Sequence, residues 1–95
     1  MIDIKILQNA IDKWGADAQI EMIIEECAEL ILALQKIKRH HKTKEDKNQA
    51  YFNVSDEIAD VKIMIAQSEL LFDKELINSR VEFKMNRLSD KLKNN

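Results

Sequence analysis

The chain contains the stretch Glu25-Glu26-Cys27-Ala28-Glu29 and, further along, the stretch Glu57-Ile58-Ala59-Asp60. In the first stretch Glu26 and Glu29 stand three residues apart, and the acids at the two ends of the second stretch have the same spacing. On a helix this spacing places both side chains on one face, a turn apart. If the two helices converge, their carboxylates cannot all stay ionised without cations between them. Because hard divalent cations such as Mg²⁺ take oxygen ligands, the pair of stretches predicts a metal site.

The residues around the first stretch indicate a buried helix, which we call the first acidic helix. Winding the sequence at about 100° per residue brings Met22 and Ala33 to nearly the same angles as Glu26 and Glu29. Apolar residues therefore bracket the carboxylates, although the main apolar stripe lies elsewhere. A helix that is apolar nearly all round is usually buried. The main stripe is formed by Ile20, Ile23, Ile24, Cys27, Ile31 and Leu34.

The second acidic helix carries two apolar stripes on nearly opposite sides, and its acids lie on a third side. Glu57 and Asp60 share that side with Met64, Gln67 and Leu71, so we expect them to face a groove covered by protein. Acids in such a groove are costly unless they are paired or bound to metal. One chain can hardly cover both stripes, which predicts a homo-oligomer. The stripes are Val54, Ile58, Val61, Ile65 and Phe72 on one side, and Ala59, Ile63, Ala66 and Leu70 on the other.

The two acidic stretches form the pattern EExxE, then 27 residues, then ExxD. This pattern resembles the MazG-like all-α nucleoside triphosphate pyrophosphohydrolases, particularly their small phage and bacterial branch. The similarity extends to Trp14-Gly15 and Gln19 before the first motif, and it covers the chain from about Ile11 to Leu92. A lone ExxE is common in helices, but two acidic motifs at this separation in an all-helical chain are more specific.

The resemblance implies hydrolysis of a (deoxy)nucleoside triphosphate to the monophosphate and pyrophosphate. It implies that Mg²⁺, or Mn²⁺ in its place, is held by Glu26, Glu29, Glu57 and Asp60. Glu25 lies at a different angle on the helix. Its role is open between binding a second metal ion and helping to activate the attacking water. The resemblance also suggests that basic residues late in such chains approach the phosphates. In this chain these are Lys84 and Arg87, for which ordinary surface charge is an equal alternative.

Composition limits the class of protein. Ninety-five residues predict a single domain spanning 1–95, and 45% hydrophobic with 34% charged residues indicate a globular chain. The absence of proline and the single glycine favour nearly continuous helix. The single cysteine excludes an internal disulfide, and its place on the apolar stripe favours a buried thiol. With no signal peptide or membrane-spanning run, we expect a cytoplasmic location and neither a membrane nor a nucleic-acid partner.

The pattern predicts a bundle of three long helices and one short N-terminal helix. Gly15 is placed to end the short helix, and Asp17 to serve as the N-cap of the next. The third helix is expected to begin somewhere between Asn48 and Ser55. The expected ranges are Asp3–Lys13, Asp17–Lys38, a third helix ending at Phe72, and Lys74–Lys93.

Three further places are candidates for substrate contact. Trp14 has the alternatives of an apolar plug between the first two helices and a wall that stacks on a nucleobase. Gln19 has the alternatives of contact with the base and a simple surface position. Residues 36–47 carry six basic side chains and two acids, a formal charge of +4, which fits either a solvated mobile loop or a positive rim that attracts a triphosphate.

Two other classes of protein remain open. A non-catalytic helical interaction protein would explain the amphipathic helices, but it would not explain acids grouped on protected faces. A four-helix protein of the di-iron type uses Glu-x-x-His pairs. In this chain no glutamate of either acidic stretch has a histidine three residues later. The adjacent His40 and His41 diverge on a helix and have no nearby cysteine, which argues against a zinc site.

Overall fold

The computed structural model describes residues 1–94 as four α-helices with no β-strand among them. This confirms the all-α prediction, including one short helix followed by three long ones. None of the described helices has a stretch long and apolar enough to cross a membrane. The helices are α1 (Ile4–Trp14), α2 (Ala16–Ile37), α3 (Lys44–Leu71) and α4 (Lys74–Lys93).

Polar caps define where the helices begin. The backbone N–H of Asp46 donates to the Thr43 hydroxyl at 3.0 Å, so α3 begins at Lys44, earlier than the sequence analysis placed it. Gly15 ends α1 with φ of +90°, a conformation that side chains other than glycine rarely adopt. The same glycine is the N-cap of α2, so the prediction of Asp17 as the cap is wrong; Asp17 lies in the first turn instead.

Helices α2 and α3 form an antiparallel hairpin with a polar seam. Gln19 near the start of α2 is 5% exposed and Gln67 near the end of α3 is 1% exposed, and the Gln67 amide donates to the Gln19 carbonyl. The spacing alternates between three and four residues, as in coiled-coil packing. The seam consists of Gln19, Ile23, Glu26, Leu30 and Ala33 from α2, and Glu57, Asp60, Met64, Gln67 and Leu71 from α3, all buried or half-buried. Glu57 and Asp60 therefore face a covered groove, as predicted.

The other two helices contribute unequally. Helix α1 packs across both hairpin helices and buries Leu7. Helix α4 contacts α3 but neither α1 nor α2. Every residue from Asn78 to Asn94 is exposed, including the apolar side chains of Val81, Met85, Leu88 and Leu92, which recur at helical spacing.

A single chain leaves much apolar surface uncovered. Its accessible surface is 7827 Å², whereas a folded monomer of 11.1 kDa has about 5,700 Å². Its radius of gyration is 17.0 Å, against about 12 Å for a compact domain of this length. The main stripe of α2, expected to be buried, is only partly covered. Ile24, Ile31 and Leu34 are exposed, whereas Ile20, Ile23 and Cys27 are half-buried. The physical reason is that the hairpin packs through the acid-bearing face of α2, which leaves Ile24, Ile31 and Leu34 turned outward.

Candidate metal centre

Three carboxylates converge in the middle of the hairpin seam. Glu26 comes from α2, whereas Glu57 and Asp60 come from α3 and lie a turn apart. Each side chain is half-buried, and one carboxylate oxygen of each lies within 4.8 Å of the other two. We call these three residues the acid triad. The seam places them together because all three occupy positions at which the two helices face each other.

The surroundings of Glu26 and Glu57 disfavour the negative charge of these two triad acids. Burial, followed by the charges of Asp60 and Glu29, a hydrogen bond with Asp60 and the charge of Glu57, raises the pKa of Glu26 from 4.5 to about 7. The pKa of Glu57 is also raised, chiefly by burial and then by Glu29, Asp60 and Asp56. Every charged neighbour that shifts these two pKa values is itself an acid. Within the described part of the chain, no basic residue lowers the pKa of Glu26 or Glu57 to compensate for this concentration of negative charge.

Two oxygens of the acid triad lack partners within the described chain. Oε2 of Glu26 and Oε2 of Glu57 are both buried and accept no hydrogen bond. Buried polar atoms are nearly always paired, and an unpaired carboxylate oxygen is expensive. A cation between the helices would satisfy both oxygens and offset the repulsion. Because the donors are all carboxylate oxygens, the site fits a hard ion such as Mg²⁺ or Mn²⁺ better than Zn²⁺.

The remaining two acids of the first motif lie outside the acid triad. Glu29 is exposed, but its charge raises the pKa of both Glu57 and Glu26. It therefore stands directly beside the triad, so three of the four predicted ligands converge and the fourth adjoins them. Glu25 is exposed and does not belong to the group.

The predicted substrate contacts are scattered over a single chain. Trp14 is 61% exposed, with the Lys13 ammonium 5.3 Å from its ring centroid, so the interpretation as an apolar plug is wrong. Gln19 is buried against Gln67, so the interpretation as a surface residue is wrong as well. A base contact by either residue stays a prediction.

Neither of the two late basic residues is among the charges that shift the pKa values of Glu26 and Glu57. Lys84 and Arg87 are exposed on α4, which does not approach α2. Within one chain they therefore do not join the acid triad. Their contact with phosphates stays a prediction.

An open cavity of about 460 Å³ adjoins the acid triad. It extends from Glu29 and Glu57 to the segment that joins α2 to α3, and we call it the loop cavity. The sequence analysis did not single out Gln49 and Asn53, which line its wall and are joined by a hydrogen bond of 2.9 Å. Gln49, Asn53 and Glu57 follow one another at intervals of four residues, which places all three on one face of α3. This interval in the sequence would have identified the two amides as neighbours of Glu57.

Comparisons of the chain with protein-family models, with curated proteins and with solved structures gave no match. The features that bear on function are therefore the acid triad, the loop cavity and the resemblance of the two acidic motifs.

Proposed function

We propose that this protein is a Mg²⁺-dependent nucleoside triphosphate pyrophosphohydrolase, which cleaves a (deoxy)nucleoside triphosphate to the monophosphate and pyrophosphate. The observation that carries the proposal is the convergence of Glu26, Glu57 and Asp60, with two buried oxygens left without partners. The spacing of the two motifs, which resembles that of MazG-like enzymes, supplies the reaction class. Since nucleoside triphosphates are cytoplasmic, we place the protein in the cytoplasm.

The acid triad and Glu29 would hold the ion. When bound there, Mg²⁺ or Mn²⁺ would supply positive charge to stabilise the phosphoryl group under attack and would help to orient the attacking water. Glu29 borders both the triad and the loop cavity, which suits a residue that contacts ion and substrate together. The chain has no Gly-rich phosphate loop, so its side chains must grip the phosphates. The exposed Glu25 remains open to a second ion or to the water.

We also propose that the protein works as a homo-oligomer, with a dimer as the minimum and a homotetramer as an alternative. The surface of one chain exceeds that of a folded monomer by about 2,100 Å², an amount typical of permanent interfaces. Ile63 of α3 is 39% exposed and Leu88 of α4 is 49% exposed, so both offer apolar contact area. Assembly through α4 would also give Lys84 and Arg87 a route to the triad of another copy.

An assay of pyrophosphate release over a panel of canonical and modified nucleotides, with and without Mg²⁺, tests the activity. We expect turnover of at least one triphosphate, abolished by chelator and reduced at least 100-fold by Asp60→Asn. Glu21→Gln is the matched control, because Glu21 is an exposed acid on α2 outside the triad. Release of orthophosphate and a nucleoside diphosphate would contradict the bond assignment.

A non-catalytic interaction protein is the second candidate, and the exposed apolar side of α4 favours it. On this reading the acids would be structural and no nucleotide would be turned over. The same assay distinguishes the two candidates: lack of turnover across the whole panel, with Mg²⁺ or Mn²⁺ present, supports the interaction protein.

A further inference from the structure

The loop cavity has walls of opposite charge at its two ends. Glu29 and Glu57 form the end next to the acid triad. Lys36, Arg39 and the two adjacent histidines line the other end, where α2 finishes and the joining segment begins. A single ligand that fills the cavity would therefore meet carboxylates at one end and basic groups at the other.

The basic side chains within the segment 36–47 differ in whether they line the loop cavity. Lys36 and Arg39 line the cavity, whereas Lys38 and Lys42, equally exposed in the same segment, do not. Asp46 is the acid in this part of the wall, so the cationic groups outnumber it locally. Two cationic side chains of this basic segment, Lys36 and Arg39, therefore line the same cavity as Glu29 and Glu57.

His41 supplies an independent observation. It is half-buried while its neighbours His40 and Lys42 are exposed, and its Nε2 atom is buried without a hydrogen-bond partner in the described chain. A ring nitrogen either donates or accepts a hydrogen bond, and a buried one without a partner is unusual. A ligand oxygen in the cavity would provide the partner.

We infer that the basic end of the loop cavity is a subsite for the terminal phosphates of the substrate, which leave as pyrophosphate. The inference rests on the proposed function, since it assumes that a triphosphate lies beside the acid triad. A phosphate chain suits both ends: its inner part would share the ion with the acids, and its outer oxygens would accept hydrogen bonds from Lys36, Arg39 and His41. No Trp, Tyr or Phe of residues 1–94 lines the cavity, which favours phosphate over a stacked nucleobase.

Calorimetric titration with inorganic pyrophosphate in the presence of Mg²⁺ tests the subsite without requiring turnover. The test variant is Lys36→Gln with Arg39→Gln, and the matched control is Lys38→Gln with Lys42→Gln, which removes the same charge from the same segment outside the cavity. We expect the test variant to bind pyrophosphate at least tenfold more weakly than the wild type, and the control less than threefold more weakly. If the double variant does not fold, single Arg39→Gln and Lys38→Gln variants make the same comparison.

Three results would overturn the subsite: equal weakening by both double variants, no weakening by the test variant, or no binding of pyrophosphate to the wild type. The hydrolysis assay separates these results from failure of the proposed function. A wild type that hydrolyses nucleotides, with a test variant of unchanged KM and unchanged inhibition by pyrophosphate, would refute the subsite alone. Pyrophosphate binding through Lys36 and Arg39 without any hydrolysis would refute the enzyme, and with it the role of this cavity end as a substrate subsite, leaving only a pyrophosphate-binding site.

Discussion

Replacing Glu26 by Gln should stabilise the metal-free protein. Glu26 lies in the seam between α2 and α3, where burial and the acids around it raise its pKa from 4.5 to about 7. Glutamine has nearly the same shape, and its amide can donate a hydrogen bond to Asp60. The substitution therefore removes a disfavoured charge and leaves the packing in place, as expected where an active site trades stability for function.

The size of the expected stabilisation follows from the raised pKa of Glu26. A rise from 4.5 to about 7 corresponds to about 3 kcal/mol, since a tenfold change in proton affinity is worth about 1.4 kcal/mol. Glu26 is only half-buried, so solvent screening reduces our figure to about 1–2 kcal/mol. The folded state keeps a proton that the unfolded chain has released, so stability falls as the pH rises from about 4.5 through 7. The advantage of the variant should thus be small at pH 5 and complete at pH 8.

Thermal melting in chelator at pH 5 and pH 8 measures this effect. Since 1 kcal/mol shifts the Tm of a domain of this size by roughly 4–8 °C, we expect Glu26→Gln to raise the Tm at pH 8 by about 5–10 °C. The control is Glu25→Gln, which alters an exposed neighbour outside the acid triad and should change the Tm little. A variant that melts below the wild type in chelator at pH 8 would refute the reasoning, because it would mean that a basic group already compensates the carboxylate.

Three further predictions concern the metal, the seam and assembly. Asp60→Asn should largely remove the rise in Tm that Mg²⁺ produces, measured by thermal melting with millimolar Mg²⁺; a response equal to that of the wild type would exclude Asp60 as a ligand. Gln67→Ala should lower the free energy of unfolding by roughly 1–3 kcal/mol, because buried Gln19 loses its partner, whereas leucine at both positions should cost less; urea melts that show the reverse order would contradict this. Ile63→Glu should weaken assembly by placing a charge in an apolar contact, as checked by light scattering, and a wild type that is monomeric at micromolar concentration would oppose the proposed interface.

The number and extent of the helices could be predicted because the chain offers few places to interrupt them. It has no proline, and its single glycine, Gly15, ends α1 where expected. The expected start of α3, between Asn48 and Ser55, is too late because the charge of residues 36–47 also fits a solvated loop. Thr43 followed three residues later by Asp46 is a capping pattern, and lysine and glutamate are good helix formers, so the earlier start has a local cause.

The acid triad could also be anticipated, since the face that Glu57 and Asp60 share with Gln67 was identified from periodicity. The burial of Gln19 was not, because an amide alone favours neither the surface nor the interior. Its spacing of four residues from Ile23 places it on the seam, where Gln67 satisfies it. What covers α4 cannot be read from the chain in the same way, because periodicity defines an apolar face without defining its partner.

The scarcity of buried apolar side chains has a consequence for how the protein reaches its native state. Leu7 and Ala33 are the buried apolar residues of the described chain, and the seam that joins the longest helices is held partly by amides and acids. Such a unit gains little from burial to set against its loss of conformational entropy, so in the proposed oligomer the contacts between copies would supply the rest. Folding and association would then be one second-order event: refolding should accelerate with protein concentration, and dilution should yield unfolded chains instead of folded monomers. A cell that makes few copies would hold the protein in a form open to proteases, so its abundance would itself decide how much of it is folded.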